Sequence, residues 1–238
     1  MATIQTSFER YEKKYCLTAA QRDFLLAQMQ PHMAADRYGR YTINNIYYDT
    51  PDWQLIRASI EKPVYKEKLR LRAYGTPTDS PPVSLEIKKK SDGVVYRRRV
   101  SPDFAQAMRF LTEGIPPESG DYVARQVTAE MTHMIRRDGL IPRAAVFYDR
   151  RASHGADDPE LRLTLDGNIR YRLGDLDLRN GTDGDTIPGQ PFRIMEIKSA
   201  SSIPLWLAGT LSELGIHPGS FSKYGSVYKQ RFQDLCTT

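Results

Sequence analysis

The sequence predicts an α+β fold, a single domain in which about eight antiparallel β-strands close into a barrel with helices at its periphery. Three observations predict it. Extended segments with alternating apolar positions dominate the chain. A few helical segments are interspersed among them. No internal repeat, low-complexity tract or linker interrupts residues 1–238, so the whole chain reads as one domain. Two sandwiched sheets are the alternative arrangement of the same strands.

The elements follow in order. Residues 7–15 alternate as a strand, and Thr18 caps a helix over 19–29 with Phe24, Leu25 and Met29 as its apolar contacts. Residues 41–48, aromatic and β-branched, make a strand that ends at the turn Asp49-Thr50-Pro51. Strands over 64–74, 83–90 and 94–100 come next, the last two joined by the hairpin turn Ser91-Asp92-Gly93. Ser101 and Pro102 open a helix with Phe104, Met108 and Leu111 on its apolar stripe, and a further helix over 122–137 closes near Gly139. Strands resume at 143–150, 161–165, 169–173 and 192–198. Residues 174–189, rich in Gly and Asp, read as an exposed loop, and helices over 204–214 and 225–235 finish the chain.

Hydrophobic residues at 40% and charged residues at 26% suit a soluble globular protein. No stretch is long and apolar enough for a membrane helix, and residues 1–10 lack a secretory signal, so the expected address is cytoplasmic. Cys16 and Cys236 make no disulfide framework and fit a reducing compartment. His32, His133, His154 and His217 lack ligand spacing, which argues against zinc. The net charge of +5 says less than the placement of the charges.

Residues two apart share a face of a strand. By that rule Arg10, Glu12 and Lys14 share a face, as do Lys66, Lys68, Arg70 and Arg72, with Leu69 and Leu71 on the other side. Ser84, Glu86, Lys88 and Lys90 lie opposite Leu85 and Ile87, and Arg97 pairs in parity with Arg99. Tyr148 goes with Arg150, Arg162 with Thr164 and Asp166, and Glu196 with Lys198. An ordinary wet face mixes acids with bases, because like charges on neighbouring strands repel. Here Lys and Arg prevail, which is costly without a polyanion and concentrates anions, more so in a closed cavity. Arg forks and Lys point charges both suit phosphate oxygens. The interspersed Glu12, Glu86 and Glu196 are candidates for Mg²⁺ or Mn²⁺ shared with substrate phosphates. The runs Lys88-Lys89-Lys90 and Arg97-Arg98-Arg99 raise nucleic-acid binding, but their strand setting and the scarcity of stacking aromatics argue against it. Lys13, Lys89 and Arg98 point away from the basic face and are expected in solvent.

Phe8-Glu9-Arg10-Tyr11-Glu12-Lys13-Lys14-Tyr15 resembles the opening strand of the vacuolar transporter chaperone (VTC) domain, within the CYTH-like triphosphate tunnel metalloenzymes. The likeness continues through Lys68-Leu69-Arg70-Leu71-Arg72, Leu85-Glu86-Ile87-Lys88, Tyr96-Arg97-Arg98, Phe147-Tyr148-Asp149-Arg150 and Leu161-Arg162-Leu163-Thr164-Leu165-Asp166. It ends at Met195-Glu196-Ile197-Lys198 and Phe221-Ser222-Lys223-Tyr224, in order over nearly the whole chain.

The resemblance implies an antiparallel β-barrel tunnel that binds a divalent metal, Mn²⁺ or Mg²⁺, with ATP or inorganic polyphosphate. In polymerising members the γ-phosphoryl group of ATP passes to a growing polyphosphate chain. It implies that Lys14, Arg70, Arg72, Lys88, Arg97, Arg150 and Lys223 hold phosphates, that Tyr148 and Ser222 donate hydrogen bonds, and that Glu196 holds the metal. Arg70, Arg72, Arg150 and Glu196 are the expected catalytic set. The shared faces add Arg10, Lys68, Arg162 and Lys198 as phosphate ligands. Two departures keep a tunnel triphosphatase and a non-catalytic polyphosphate or inositol-phosphate binding module as alternatives. Arg10 stands where the wider superfamily has the first Glu of Glu-x-Glu-x-Lys, and Ser220 stands where polymerases tend to have Lys. A chain without a membrane segment needs a separate membrane partner for any transport role.

Overall fold

The computed structural model describes residues 11–61, 63–79, 82–92, 94–200 and 202–237, with only the backbone of Tyr11 and residues 234–237. In chain order the elements are β1 (Tyr11–Leu17), α1 (Ala19–Met29), β2 (Met33–Asp49), α2 (Gln54–Ile60), β3 (Tyr65–Tyr74), β4 (Ser84–Ser91) and β5 (Val94–Val100). Then come α3 (Phe104–Glu113), α4 (Tyr122–Asp138), β6 (Ile141–Gly155), β7 (Arg162–Arg172), β8 (Asp185–Thr186), β9 (Arg193–Ser199), α5 (Leu205–Glu213) and α6 (Lys223–Thr237). This is the expected α+β class with an antiparallel sheet. Its strand order is β1-β9-β7-β6-β2-β3-β4-β5, with β8 paired to β7. No helix among the described residues is long and apolar enough to cross a membrane.

The chain divides into two compact units. The first comprises Met1–Tyr41, Asp149–Asn168 and Gly189–Phe221. In it β1 pairs with β9 and β9 with β7, and strand alternation sends Tyr15, Leu17, Leu163, Leu165, Met195 and Ile197 to one side. There Leu25 and Met29 of α1 and Leu207 and Leu211 of α5 cover them. Thr18 caps α1 as expected, in a reciprocal pair with Gln21.

The second unit comprises Thr42–Tyr148, Ile169–Pro188 and Ser222–Thr238. Here β3 pairs with β2 and β4, and β4 with β5. Leu69, Leu71, Leu85 and Ile87, all 1% exposed or less, pack beneath Phe104 and Phe110 of α3 and Met131 and Met134 of α4. In each unit one strand face is roofed by helices, and the alternate positions carry the charges.

Several boundaries differ from the sequence reading, each for a physical reason. Asp103, not Ser101, caps α3, its carboxylate accepting the Gln106 N–H at 2.7 Å. Residues 161–165 and 169–173 were expected as two strands. They form the single β7, because Asn168 takes the left-handed conformation (φ 52°) that its short amide side chain tolerates. The expected loop over 174–189 contains β8 and a short 3-10 turn at Leu178–Asn180. Helix α2 had no local signal: Trp53 precedes it at φ 63°, and its cap comes from Asp49, whose carboxylate accepts the N–H groups of Leu55 and Ile56. Lys89 and Arg98 were expected in solvent, yet both lie 2.7 Å from Glu130 of α4 and tie that helix to the sheet. Glu67, buried beside them, pairs with Arg137 of the same helix.

Candidate functional site

In the second unit the strand face turned away from α3 and α4 is strongly cationic. Register places Lys68, Lys88 and Arg97 directly opposite one another on three adjacent strands. The next row along is Tyr47, Arg70, Glu86 and Arg99, and beyond it come Asn45, Arg72 and Ser84. Directly opposed side chains in such pairs have Cβ atoms about 5 Å apart, close enough for like charges to repel measurably.

Glu86 is the carboxylate set into these rows. Arg70 grips it through Nε at 3.0 Å and Nη2 at 2.5 Å, and the Ser84 hydroxyl donates to its other oxygen at 3.2 Å. Burial pushes the Glu86 carboxyl up, but Arg70, Arg72 and Arg97 outweigh it and hold it at about 2. Burial likewise opposes the charge of Arg70, yet Tyr47, Glu86 and Tyr148 keep it firmly cationic.

Arg72, 9% exposed, is fixed from two sides. Its Nε donates to Asn45 Oδ1 at 3.0 Å and its Nη2 to the Tyr148 hydroxyl at 3.1 Å. Asn45, fully buried, is itself anchored by Nδ2 donating to the Val146 carbonyl. Lys223 opens α6, with its Nζ 4.2 Å from the centre of the Tyr148 ring. Ser222 caps the same helix, its Oγ accepting the Gly225 N–H at 3.1 Å, which leaves its hydroxyl proton for donation. Seven of the expected residues (Lys68, Arg70, Arg72, Glu86, Lys88, Arg97 and Tyr148) thus share strand rows or direct hydrogen bonds, and Lys223 joins them through the Tyr148 ring.

The first unit holds a smaller, more balanced cluster. Register aligns Glu12, Lys198 and Arg162 in one row and Lys14, Glu196 and Thr164 in the next. Lys198 Nζ lies 2.8 Å from Glu196 and 3.8 Å from Glu12, so two carboxylates converge on one ammonium. Burial raises the Glu196 carboxyl, but Lys198, Lys14 and Arg150 prevail and hold it at about 2. Arg150 is oriented by a two-pronged bond to Asp166, Nε to Oδ1 at 2.6 Å and Nη2 to Oδ2 at 2.8 Å. Arg162 is the least constrained, with 57% of its side chain exposed and a 3.4 Å contact to Asp36. Arg10 lies outside the described residues.

Sequence reasoning passed over Asn45 and left Asp166 without a role. Alternation along residues 41–48 puts Asn45 on the face of Tyr47, so its place was readable. Its hydrogen bond to Arg72, 27 residues away, was not.

The VTC domain profile matches residues 9–232. The chain is 23% identical over 237 aligned positions to the vacuolar transporter chaperone complex subunit 4 of Schizosaccharomyces pombe, covering 82% of this chain and 32% of that protein. It therefore spans about a third of that relative's length. Among solved structures, it resembles a provisionally assigned adenylate cyclase from Bacillus halodurans, with a TM-score of 0.54, 14% identity and coverage of 89% and 92% of the two chains. It also resembles a provisionally assigned adenylyl cyclase from Hippeastrum whose dominant activity is that of a triphosphatase, with a TM-score of 0.51, 18% identity and coverage of 90% and 92%. At these identities the structural likeness concerns the fold alone. The profile match runs through both units and through the charged strands of each, and on that ground the chain belongs to the VTC domain family.

Proposed function

We propose that the protein is a polyphosphate polymerase that transfers the γ-phosphoryl group of ATP to a growing polyphosphate chain. The observation that carries this reading is the row of Lys68, Lys88 and Arg97 beside Arg70 and Arg72, with Glu86 as the interspersed carboxylate. Three cations opposed across neighbouring strands work against folding, and a linear polyanion relieves the repulsion along its length.

The transfer needs in-line placement and charge neutralisation more than covalent help. The terminal oxygen of the phosphate chain attacks the γ-phosphorus, and ADP departs with the electron pair of the bridging oxygen. That acceptor oxygen is already ionised at neutral pH, so no general base is required. In the second unit Arg70 and Arg72 are assigned to triphosphate oxygens. Their guanidinium planes are preset by Glu86, Asn45 and Tyr148, which lowers the ordering cost on binding. In the first unit Arg150 and Lys14 are assigned to phosphates.

The donor set also accommodates a divalent cation. Mg²⁺ and Mn²⁺ sites of this kind use one or two carboxylates and complete their shell with phosphates and water. Glu12 and Glu196 both approach the Lys198 ammonium and so lie close together, whereas Glu86 is committed to Arg70 and Ser84. The metal would supply charge neutralisation to the phosphates it binds. With ATP as donor the cytoplasm is the expected compartment, and export of the product would require a separate membrane partner.

The second reading is triphosphate hydrolysis, favoured by the dominant triphosphatase activity of the Hippeastrum protein. The two are separated by incubating the purified chain with ATP and Mn²⁺ or Mg²⁺, resolving the products on a polyphosphate-stained gel, and measuring phosphate released from tripolyphosphate in parallel. A metal-dependent ladder supports the polymerase. Phosphate release with no polymer replaces it with the hydrolase, and polyanion binding without turnover reduces the chain to a binding module.

A further inference from the structure

The first unit holds a polar group that the proposed reaction does not yet use. Thr164 sits in β7 opposite Glu196, in the row that continues to Lys14. It shares its face with Arg162 and Asp166, and Asp166 anchors Arg150. Its hydroxyl oxygen is buried and has no hydrogen-bond partner among the described residues. Such a group is costly, because the water it gave up on folding is not replaced. A valine would fill the same space without that cost. A buried hydroxyl kept on a half-buried residue near Lys14, Arg150 and Glu196 is accounted for when its partner is a ligand.

We propose that Thr164 is a further substrate-binding residue whose Oγ1 donates a hydrogen bond to an oxygen of a bound phosphate. This deepens the polyphosphate reading and rests on it. The surrounding cations suit an anionic acceptor, and a hydroxyl beside an ionised carboxylate can turn its proton toward whichever oxygen is nearer. The lysine ammonium groups act as point charges with little directional preference. A hydroxyl donor adds direction, so Thr164 would help fix the rotation of the phosphate it meets.

The full chain and its Thr164→Val and Thr164→Ser variants distinguish this role from a structural one. Each is melted with and without tripolyphosphate and Mn²⁺, and tripolyphosphate binding is measured by calorimetry. Thr164→Val is expected to melt about 3 °C or more above the wild type without ligand, since an orphaned hydroxyl has been removed. It should bind tripolyphosphate about tenfold more weakly, the loss of one good hydrogen bond to a charged group. Thr164→Ser, which keeps the hydroxyl, should bind within a factor of about two of the wild type. Wild-type affinity in Thr164→Val, or its unaltered or lowered ligand-free melting point, overturns the assignment. Weak binding by both variants shows that keeping the hydroxyl does not preserve affinity, and overturns it too. A wild type that binds no tripolyphosphate refutes the phosphate reading beneath it, and the ligand-free melting points still report whether the hydroxyl was orphaned.

Discussion

Replacing Glu86 with Gln probes how the second unit tolerates so many cations. Gln keeps the shape and an acceptor oxygen for Arg70 and Ser84 but deletes the charge. The carboxyl is held at about 2 against an ordinary value of 4.5, so its charge contributes about 3 kcal/mol to stability at neutral pH. Little screening reduces that figure, since only 5% of the side chain is exposed. Because the folded value is depressed, the contribution is complete above about 4.5 and is lost as the pH falls toward 2. Thermal melts at pH 7 should show Glu86→Gln unfolding about 6–12 °C below the wild type, with the gap narrowing at pH values under 4.5. Addition of tripolyphosphate should raise the variant's melting point more than the wild type's, because the ligand replaces the lost negative charge and Arg70 is released to meet it. Equal melting points at pH 7, or an equal response to tripolyphosphate, would refute the electrostatic reasoning.

Three further substitutions test other parts of the account. Arg150→Lys keeps the charge but loses the fork that grips Asp166, and should slow polyphosphate formation about 10²-fold in initial-rate assays. Glu196→Gln should raise the Mn²⁺ concentration needed for half-maximal rate at least about tenfold. The wild-type Glu196, held at about 2, should make its own share of stability complete above 4.5 and lose it as the pH falls toward 2. Asp49→Ala removes a fully buried carboxylate that accepts from Thr50, Leu55, Ile56 and the Tyr224 hydroxyl, and should cost about 3 kcal/mol in urea unfolding.

The strands and their faces were legible because alternation is a local property. Leu69 and Leu71 pointing away from Arg70 and Arg72 needed only the two-residue period. The α1 cap at Thr18 was readable for the same reason, with its signal and its target within three residues. What escaped depends on partners that no local pattern announces. Helix α2 draws its cap from Asp49, and the Trp53 backbone takes a conformation that a side chain of that size rarely adopts. Lys89 and Arg98 looked like solvent-facing charges until Glu130, more than 30 residues on, was placed beside them. At the site, residue types and faces were readable. The pairings that orient Arg70, Arg72 and Arg150 were not, because each partner arrives from another strand.

A crystal structure of the full chain with tripolyphosphate and Mn²⁺ tests most directly whether the aligned cations of β3, β4 and β5 hold phosphate. The expected result is phosphate oxygens within hydrogen-bonding distance of Arg70, Arg72, Lys88 and Arg97, with Glu86 still on Arg70. Tripolyphosphate bound elsewhere, with that row left in contact with water alone, would contradict it.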